Sequence, residues 1–232
     1  MTPEEAAEEA AEELIEAEEE KALREEVFEE ALEVTPQEAA EEAAEAEEAG
    51  AARKLIEERQ WDRVVEIGRP AVKPLTEALR RGEAETRRQA AAILGIIGEK
   101  EGVEALIMAL EDDSRDVRRK VVWALGKIGD RRAIGPLSRA LRDNDGDVRF
   151  KSAEVLAKMG WEPGSDSEKA RYYMAGRQWN KLSELGEPAI ETLEERLQDE
   201  DSEIREQAQW LLNEIKSAKE LDDLLKKLKE EG

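Results

Sequence analysis

Asp116-Val117-Arg118-Arg119-Lys120-Val121-Val122-Trp123-Ala124-Leu125-Gly126-Lys127-Ile128-Gly129, continuing through Asp130-Arg131-Arg132-Ala133-Ile134-Gly135-Pro136-Leu137, decides the fold of this chain. Turned at about 100° per residue, Val117, Val121, Ala124, Leu125 and Ile128 fall on one stripe, so the first part is an amphipathic helix. Gly129 supplies the left-handed residue that ends a helix, and Pro136 tolerates the first turn of the next one. The stretch therefore reads as helix, tight turn, helix.

It also recurs. Leu75, Leu106 and Leu137 lie 31 residues apart, as do Leu94, Leu125 and Leu156, the glycines Gly98, Gly129 and Gly160, and the arginines Arg87, Arg118 and Arg149. A fourth copy follows an insertion of 25 residues, with Leu193, Arg205, Leu212 and Ile215 in the places of Leu137, Arg149, Leu156 and Met159. A second match has the combined step of 118: Arg59-Gln60-Trp61 and Glu66-Ile67-Gly68-Arg69-Pro70-Ala71-Val72 return as Arg177-Gln178-Trp179 and Glu184-Leu185-Gly186-Glu187-Pro188-Ala189-Ile190. One unit runs from a first helix around Ile134–Leu141, through the turn Asp143-Asn144-Asp145-Gly146, to a second helix from about Asp147 to Met159. Two helices of this length cannot bury their apolar faces alone, so the units must stack into one continuous core. Within the insertion, Ser165 and Glu168 form a capping box that starts an extra helix carrying Tyr172 and Tyr173. Ser217 with Glu220 repeats that signature and starts a last helix whose Leu221, Leu224, Leu225 and Leu228 should close the C-terminal end of the core.

The expected fold is an all-α, right-handed α-solenoid of stacked helix pairs with N- and C-terminal capping helices. Its divisions are residues 1–58, an acidic Ala/Glu-rich helical region; 59–160, the repeat array; 161–187, inserted helices; and 188–232, the last repeat and capping helix. In the first region Thr2-Pro3-Glu4-Glu5 and Thr35-Pro36-Gln37-Glu38 are both capping boxes with Pro at the first helical position. Paired Ala and Glu there favour helix but offer only a shallow apolar face.

Composition narrows the function. The chain has 232 residues, 40% apolar but only 4% aromatic, so its core is aliphatic. It contains no Cys and no His, which removes disulfides, thiol nucleophiles, His-based triads and most zinc sites. No catalytic residue, metal site or cofactor is expected. The 59 carboxylates read as a solvated surface. Of the net charge of −23, residues 1–58 carry −19, from 23 Glu against Lys21, Arg24, Arg53 and Lys54. Net acidity argues against nucleic acid. Neither a membrane span nor a secretory signal is present, so the default compartment is the cytoplasm. The missing Cys and His and the near-duplicate segments at Thr2 and Thr35 are features of an engineered or computationally designed chain as well as of a biased natural one.

The stretch from Asp116 to Leu137 resembles HEAT repeats, in particular the short class related to phycobilisome-lyase accessory proteins. Weaker versions cover 67–160 and 188–215, and Gly160-Trp161-Glu162-Pro163, Tyr172 and Gly176-Arg177-Gln178-Trp179 are also similar to that class. The resemblance implies a protein-binding scaffold whose second helices line a concave face. More remotely, it implies an accessory or lyase-like factor. Its known enzymatic members fit badly: deoxyhypusine hydroxylases need His ligands, and HEAT-like DNA glycosylases need a basic face.

Trp123 lies about 240° round the helix from Val117, on the polar side, among Arg119, Lys120, Asp116 and Lys127. A large apolar group there points to a contact surface. By repeat register Trp210 and Ala92 share the place of Trp123, and Phe150 that of Arg119. The candidate partner site is therefore Trp123, Phe150, Arg119, Lys120, Lys127, Lys151, Lys158 and Trp210. Its expected partner is a protein or peptide of acidic character. For Trp210 the last helix is the expected cover, whereas Trp61 and Trp179 read as core. The alternative is a structural building block that forms a homo-oligomer. Arg87, Arg118, Arg149 and Arg205 each follow an acidic turn and read as a structural ion-pair ladder rather than a basic face.

Overall fold

The protein is described by a computed structural model that covers residues 35–230. The helices expected before Thr35, with the capping box at Thr2, fall outside those residues. All regular structure among the described residues is helical: α1 (Pro36–Glu57), α2 (Trp61–Ile67), α3 (Val72–Arg81), α4 (Ala84–Ile97), α5 (Val103–Met108), α6 (Arg115–Ile128), α7 (Ile134–Ala140), α8 (Gly146–Lys158), α9 (Asp166–Ala175), α10 (Trp179–Leu185), α11 (Ile190–Glu195) and α12 (Ser202–Glu230). Short 3-10 turns join several of them.

The capping box at Thr35 forms as its sequence dictates. The Thr35 hydroxyl accepts from Glu38 N–H at 3.3 Å, and the Glu38 carboxylate accepts from Thr35 N–H at 2.8 Å. That backbone hydrogen bond, then the side-chain one, lowers the Glu38 pKa. Side chains 36–48 are exposed, in keeping with the shallow Ala/Glu face. Residues from Ala49 onward belong to one compact unit, whose core takes Ala52 and Ile56 from the end of α1.

Each repeat has the expected hairpin. Gly98 (φ +81°) and Gly129 (φ +70°) cap α4 and α6, and Gly160 (φ +69°) follows α8, all in the left-handed region. The 118-residue duplication is reproduced in the backbone. Arg59 and Arg177 both take positive φ (56° and 52°), and Gly68 and Gly186 repeat at (72°, −132°) and (68°, −133°). Arg59 pairs with Glu83 at 3.2 Å, and Arg177 with Asp201, the equivalent of Glu83, at 2.9 Å.

Packing makes the stack. The second helices α4, α6 and α8 lie side by side, α6 in the middle, with Val117, Val121, Val122, Ala124 and Leu125 all at 0% exposure. Val122, off the expected stripe, is buried because α6 has a neighbour on each side. Gly95 of α4 meets Ala124 of α6 so closely that a Cβ on Gly95 would lie 2.7 Å from the Ala124 Cα. Two cores result. The first runs from Ala52 to Leu156 and the second from Ala170 to Ile215. The inserted α9 serves both, giving Ala175 and Tyr172 to the first and Ala170, Met174 and Tyr173 to the second. It is capped at Ser165, whose hydroxyl accepts from Glu168 N–H at 3.2 Å.

A ladder of ion pairs runs along the inter-helix turns. Arg87 chelates Asp112 (2.5 and 2.8 Å), Arg118 chelates Asp143 (both 2.8 Å), and Arg149 bonds Asp199 (2.5 Å). Each guanidinium also donates to carbonyls of its own turn: Arg87 to Gly82, Arg118 to Asp112 and Asp113, Arg149 to Asp143 and Asn144, Arg205 to Asp199 and Glu200. The turn aspartates in turn accept a backbone N–H two residues on, from Ser114, Asp145 and Asp201. Arg and partner are 25 residues apart in the first two rungs and 50 in the third, so the ladder passes over the insertion. Hydrogen bonding to the aspartate raises the pKa of Arg87 and Arg118, whereas burial lowers that of Arg149.

One expectation fails at the C-terminus. No helix starts at Ser217; α12 continues unbroken from Ser202 to Glu230. By register Lys216 occupies the place of Gly160, so the fourth unit lacks the glycine that ends the others, and Ser217 falls inside an established helix. The first half of α12 closes the second core with Ile204, Ala208, Leu211, Leu212 and Ile215. Leu221, Leu224, Leu225 and Leu228 cover nothing and remain exposed.

Two substitutions test this packing by denaturant unfolding. Gly95→Ala should destabilise by about 1–3 kcal/mol, because the Ala124 backbone cannot yield to the new methyl. Arg149→Ala should cost about 3–5 kcal/mol, because it strands Asp199, 2% exposed at its side chain, in the interior. Arg196, 3.5 Å from the same carboxylate, is too far away to replace the lost bond fully.

Candidate binding face on the second-helix layer

The candidate residues lie on α6 (Arg119, Lys120, Trp123, Lys127) and α8 (Phe150, Lys151, Lys158), outside the fully buried stripes of those helices, except for Trp210, which lies on α12. Trp123 stands near the middle of α6, half-buried rather than free. Its Cζ3 would lie 2.9 Å from a Cβ on Gly95, so the indole rests on the bare backbone of α4. Lys120, one turn earlier, places its Nζ 5.1 Å from the ring centroid, a cation–π contact. The ring is thus fixed on two sides and open on the remaining one. Phe150 on α8 is 40% exposed and Trp210 on α12 is 59% exposed. The cover expected over Trp210 is absent because α12 runs straight on instead of folding back. Trp61 and Trp179 pack against the two cores, as their apolar neighbours indicated.

The cations divide into two groups. Arg119 is committed internally: it chelates Asp145 (2.9 and 2.7 Å) and lies 2.9 Å from Asp147 and 3.7 Å from Asp116. Asp145, 7% exposed, also caps α8 by accepting from Val148 N–H. Burial alone would raise the Asp145 carboxyl, but Arg119 and the Val148 N–H outweigh it and hold it below its ordinary value. Arg119 therefore fastens α6 to the turn before α8. Lys151 is neutralised by Glu154 at 2.7 Å. Lys127 and Lys158 are exposed, and among the described residues neither has an ion-pair partner within 4 Å.

The face has a member that the helical wheel did not single out. Ile96, 54% exposed, occupies on α4 the place that Lys127 and Lys158 occupy on α6 and α8. The 31-residue register contained that signal, since a repeat position that holds lysine in the next two units is off the core stripe. One edge thus presents Ile96, the open side of Trp123, Lys127, Phe150 and Lys158. A surface pocket of about 480 Å³ lies elsewhere, between Asp112, Asp113, Arg118, Arg142 and Asp143, where rungs of the ladder neutralise one another. Among the described residues no group of three His, Cys, Asp or Glu could hold a metal ion, and no helix is long and apolar enough to cross a membrane.

Half-burial sets the cost of removing the indole. Trp123→Ala should destabilise by about 1–3 kcal/mol in denaturant titrations, below the ~3–5 kcal/mol of a core Trp. A loss beyond that range would mean that the open side of the ring is also packed.

No curated protein matches the chain. Among solved structures, one of an engineered protein aligns at 22% identity over 73% of this chain and 90% of its own, with a TM-score of 0.38. A computationally designed armadillo repeat protein for modular peptide recognition aligns at 18% identity over 78% and 94%, with a TM-score of 0.34. A designed armadillo repeat protein in complex with the peptide (KR)4 aligns at 18% identity over 78% and 95%, with a TM-score of 0.33. The family model for HEAT repeats matches residues 35–121, 72–157 and 104–177, more than half of the chain. The match is to HEAT repeats at large, and between residues 35 and 177 it covers the stacked helix pairs, the capping glycines Gly98, Gly129 and Gly160 and the rungs Arg87–Asp112 and Arg118–Asp143; the chain belongs to the HEAT-repeat family.

Proposed function

We propose that this repeat solenoid is a non-catalytic scaffold whose second-helix face binds an acidic segment of a partner protein or peptide. The observation that carries the proposal is the division of charge on that face. Arg119 is spent on the buried Asp145 and Lys151 pairs with Glu154 of its own helix, whereas among the described residues Lys127 and Lys158, one repeat apart, have no ion-pair partner; Ile96, Trp123 and Phe150 lie on the same three helices. Residues that recur at one repeat position and serve neither core nor ladder are free to serve a ligand. Neighbouring packed helices stand about 8–10 Å apart. A peptide in the polyproline II conformation advances about 3.1 Å per residue with three residues per turn, so it would bring an acidic side chain to each lysine at every third position. Apolar residues between them would lie over Trp123 and Phe150, the residue types that dominate interface energetics.

The net charge of −23 does not forbid such a partner. Most of it belongs to residues 1–58, and the remainder of the chain carries only −4. At physiological salt, charges beyond about 8 Å are largely screened, so the local lysines govern the encounter.

The test is fluorescence anisotropy with a labelled peptide carrying Glu at every third position and Leu between. Binding should weaken as salt rises. The double substitution Lys127→Glu with Lys158→Glu should reduce affinity about tenfold, since each exposed pair is worth about 0.5–1 kcal/mol. Equal binding by parent and variant would refute the assignment of this face, and absence of binding by the parent would refute the acidic ligand class.

A further inference from the structure

The second half of α12 holds an apolar stripe that nothing in the described structure covers. From Lys216 to Glu230 every side chain is exposed, a rod about 22 Å long at 1.5 Å per residue. Leu221, Leu224, Leu225 and Leu228 follow the i, i+3, i+4, i+7 spacing of a helix-packing seam, and they are 60%, 58%, 47% and 64% exposed. Among the described residues the rod's ion pairs to the body are at its base, where Lys216 pairs with Glu194 (2.9 Å) and Lys219 with Glu187 (2.8 Å). Most helical stability in proteins comes from packing an apolar face, and this half of α12 packs its stripe on nothing in the described structure.

The charges beside the seam say what that partner is. The acids Glu220, Asp222 and Asp223 come before the midpoint between Leu224 and Leu225, and the bases Lys226, Lys227 and Lys229 come after it. On the helical wheel, Asp222 and Lys229 lie on one shoulder of the seam, and Glu220 and Lys227 on the other. Each shoulder thus carries an acid seven residues before a base, Asp222 also holding Lys226 of its own helix at 2.7 Å in a fully solvated pair. When two copies lie parallel, opposite shoulders meet at the same height, so Glu220 faces Asp222 and Lys227 faces Lys229. When they lie antiparallel, like shoulders meet while running in opposite directions, so Asp222 faces Lys229 and Glu220 faces Lys227. The seam is symmetric about the same midpoint: Leu224 meets Leu225, and Leu221 meets Leu228. Apolar and charged positions therefore all match under one two-fold axis.

We propose that this segment is a self-association site through which a second copy of the chain docks antiparallel, with the two-fold axis passing between Leu224 and Leu225. The contact is isologous and closed, as a two-fold interface must be. Four leucines on each side place it at the small end of specific interfaces, below about 1,200 Å² in total. The dimer is accordingly weak and depends on concentration. The ion pairs contribute orientation more than affinity, because like-charge contacts penalise the parallel arrangement.

Sedimentation velocity on the full chain over a concentration series tests the association. The apparent mass should rise toward twice the monomer value, and Leu224→Glu with Leu225→Glu should hold it at the monomer value at every concentration. Because both positions are exposed, the melting of the array in circular dichroism should not change. Orientation is read by crosslinking, which the absence of native cysteine keeps clean. Leu221→Cys and Leu228→Cys chains, one carrying a mass tag, are mixed and mildly oxidised. Antiparallel docking brings position 221 to position 228, so the mixed disulfide should predominate over both homodimers. A parent that stays monomeric throughout, a double-Glu variant that still dimerises, or a predominance of 221–221 and 228–228 disulfides would each overturn the proposal.

Discussion

The rung formed by a turn arginine and the aspartate of the next turn is the constraint on which the stack depends. A helix pair of this family has an apolar face that would accept a neighbour over a range of shifts and tilts, because hydrophobic contact is non-directional. A bidentate guanidinium–carboxylate pair tolerates neither. Arg118 holds its own turn through the carbonyls of Asp112 and Asp113 while gripping Asp143 of the next, so one side chain fixes both the shape of a turn and the distance to its successor. The aspartate is fixed from the other side by the N–H of Asp145, so neither member of the rung is free to search. Such pairs are costly to bury, and their role here is register rather than net stability.

The insertion shows how strict this register is. The chain spends residues 161–187 on helices outside the simple pattern, yet Arg149 still reaches Asp199, and the two partners are almost fully buried. The added helix α9 lies where the two aliphatic cores would otherwise part, and its adjacent tyrosines face one core each. Tyr172 and Tyr173 stand about 100° apart on the helix, enough to point one ring at Trp161 and the other along Lys181. An interruption of the repeat has thus become the joint between its parts. The backbone geometry at Arg59 and Arg177, strained in the same way on the two sides of the interruption, shows that each part begins with the same entry turn.

The second-helix layer follows from the same geometry. With α4 and α8 on its flanks and the first helices beneath, α6 keeps only a narrow strip for solvent. Close approach at Gly95 lets Trp123 lie down on that strip instead of standing out from it. Ion pairing then sorts the cations, engaging Arg119 with Asp145 and Lys151 with Glu154 and leaving Lys127 and Lys158 outward. A face with few free groups, each at a repeat position, suits recognition by addition of small contacts along an extended partner.

The sequence by itself determined the helical class, the 31-residue unit, its interruption, the capping glycines and the Arg–Asp ladder. Those are local or strictly periodic: a left-handed residue needs glycine, a core stripe needs its spacing, and a rung needs its two charges once per unit. That Trp123, Phe150, Lys127 and Lys158 lie off the core stripe was legible for the same reason. The state of each residue on that edge was decided only by the tertiary structure. That Arg119 is occupied depends on Asp145, 26 residues away, and that Trp123 is half-covered depends on the missing side chain at Gly95. The C-terminal helix makes the same distinction. Its leucine stripe was plain in the sequence, but whether the stripe folds back or runs on turned on a single position, Lys216 in place of a glycine, because a helix stops only where the backbone is given a reason to stop.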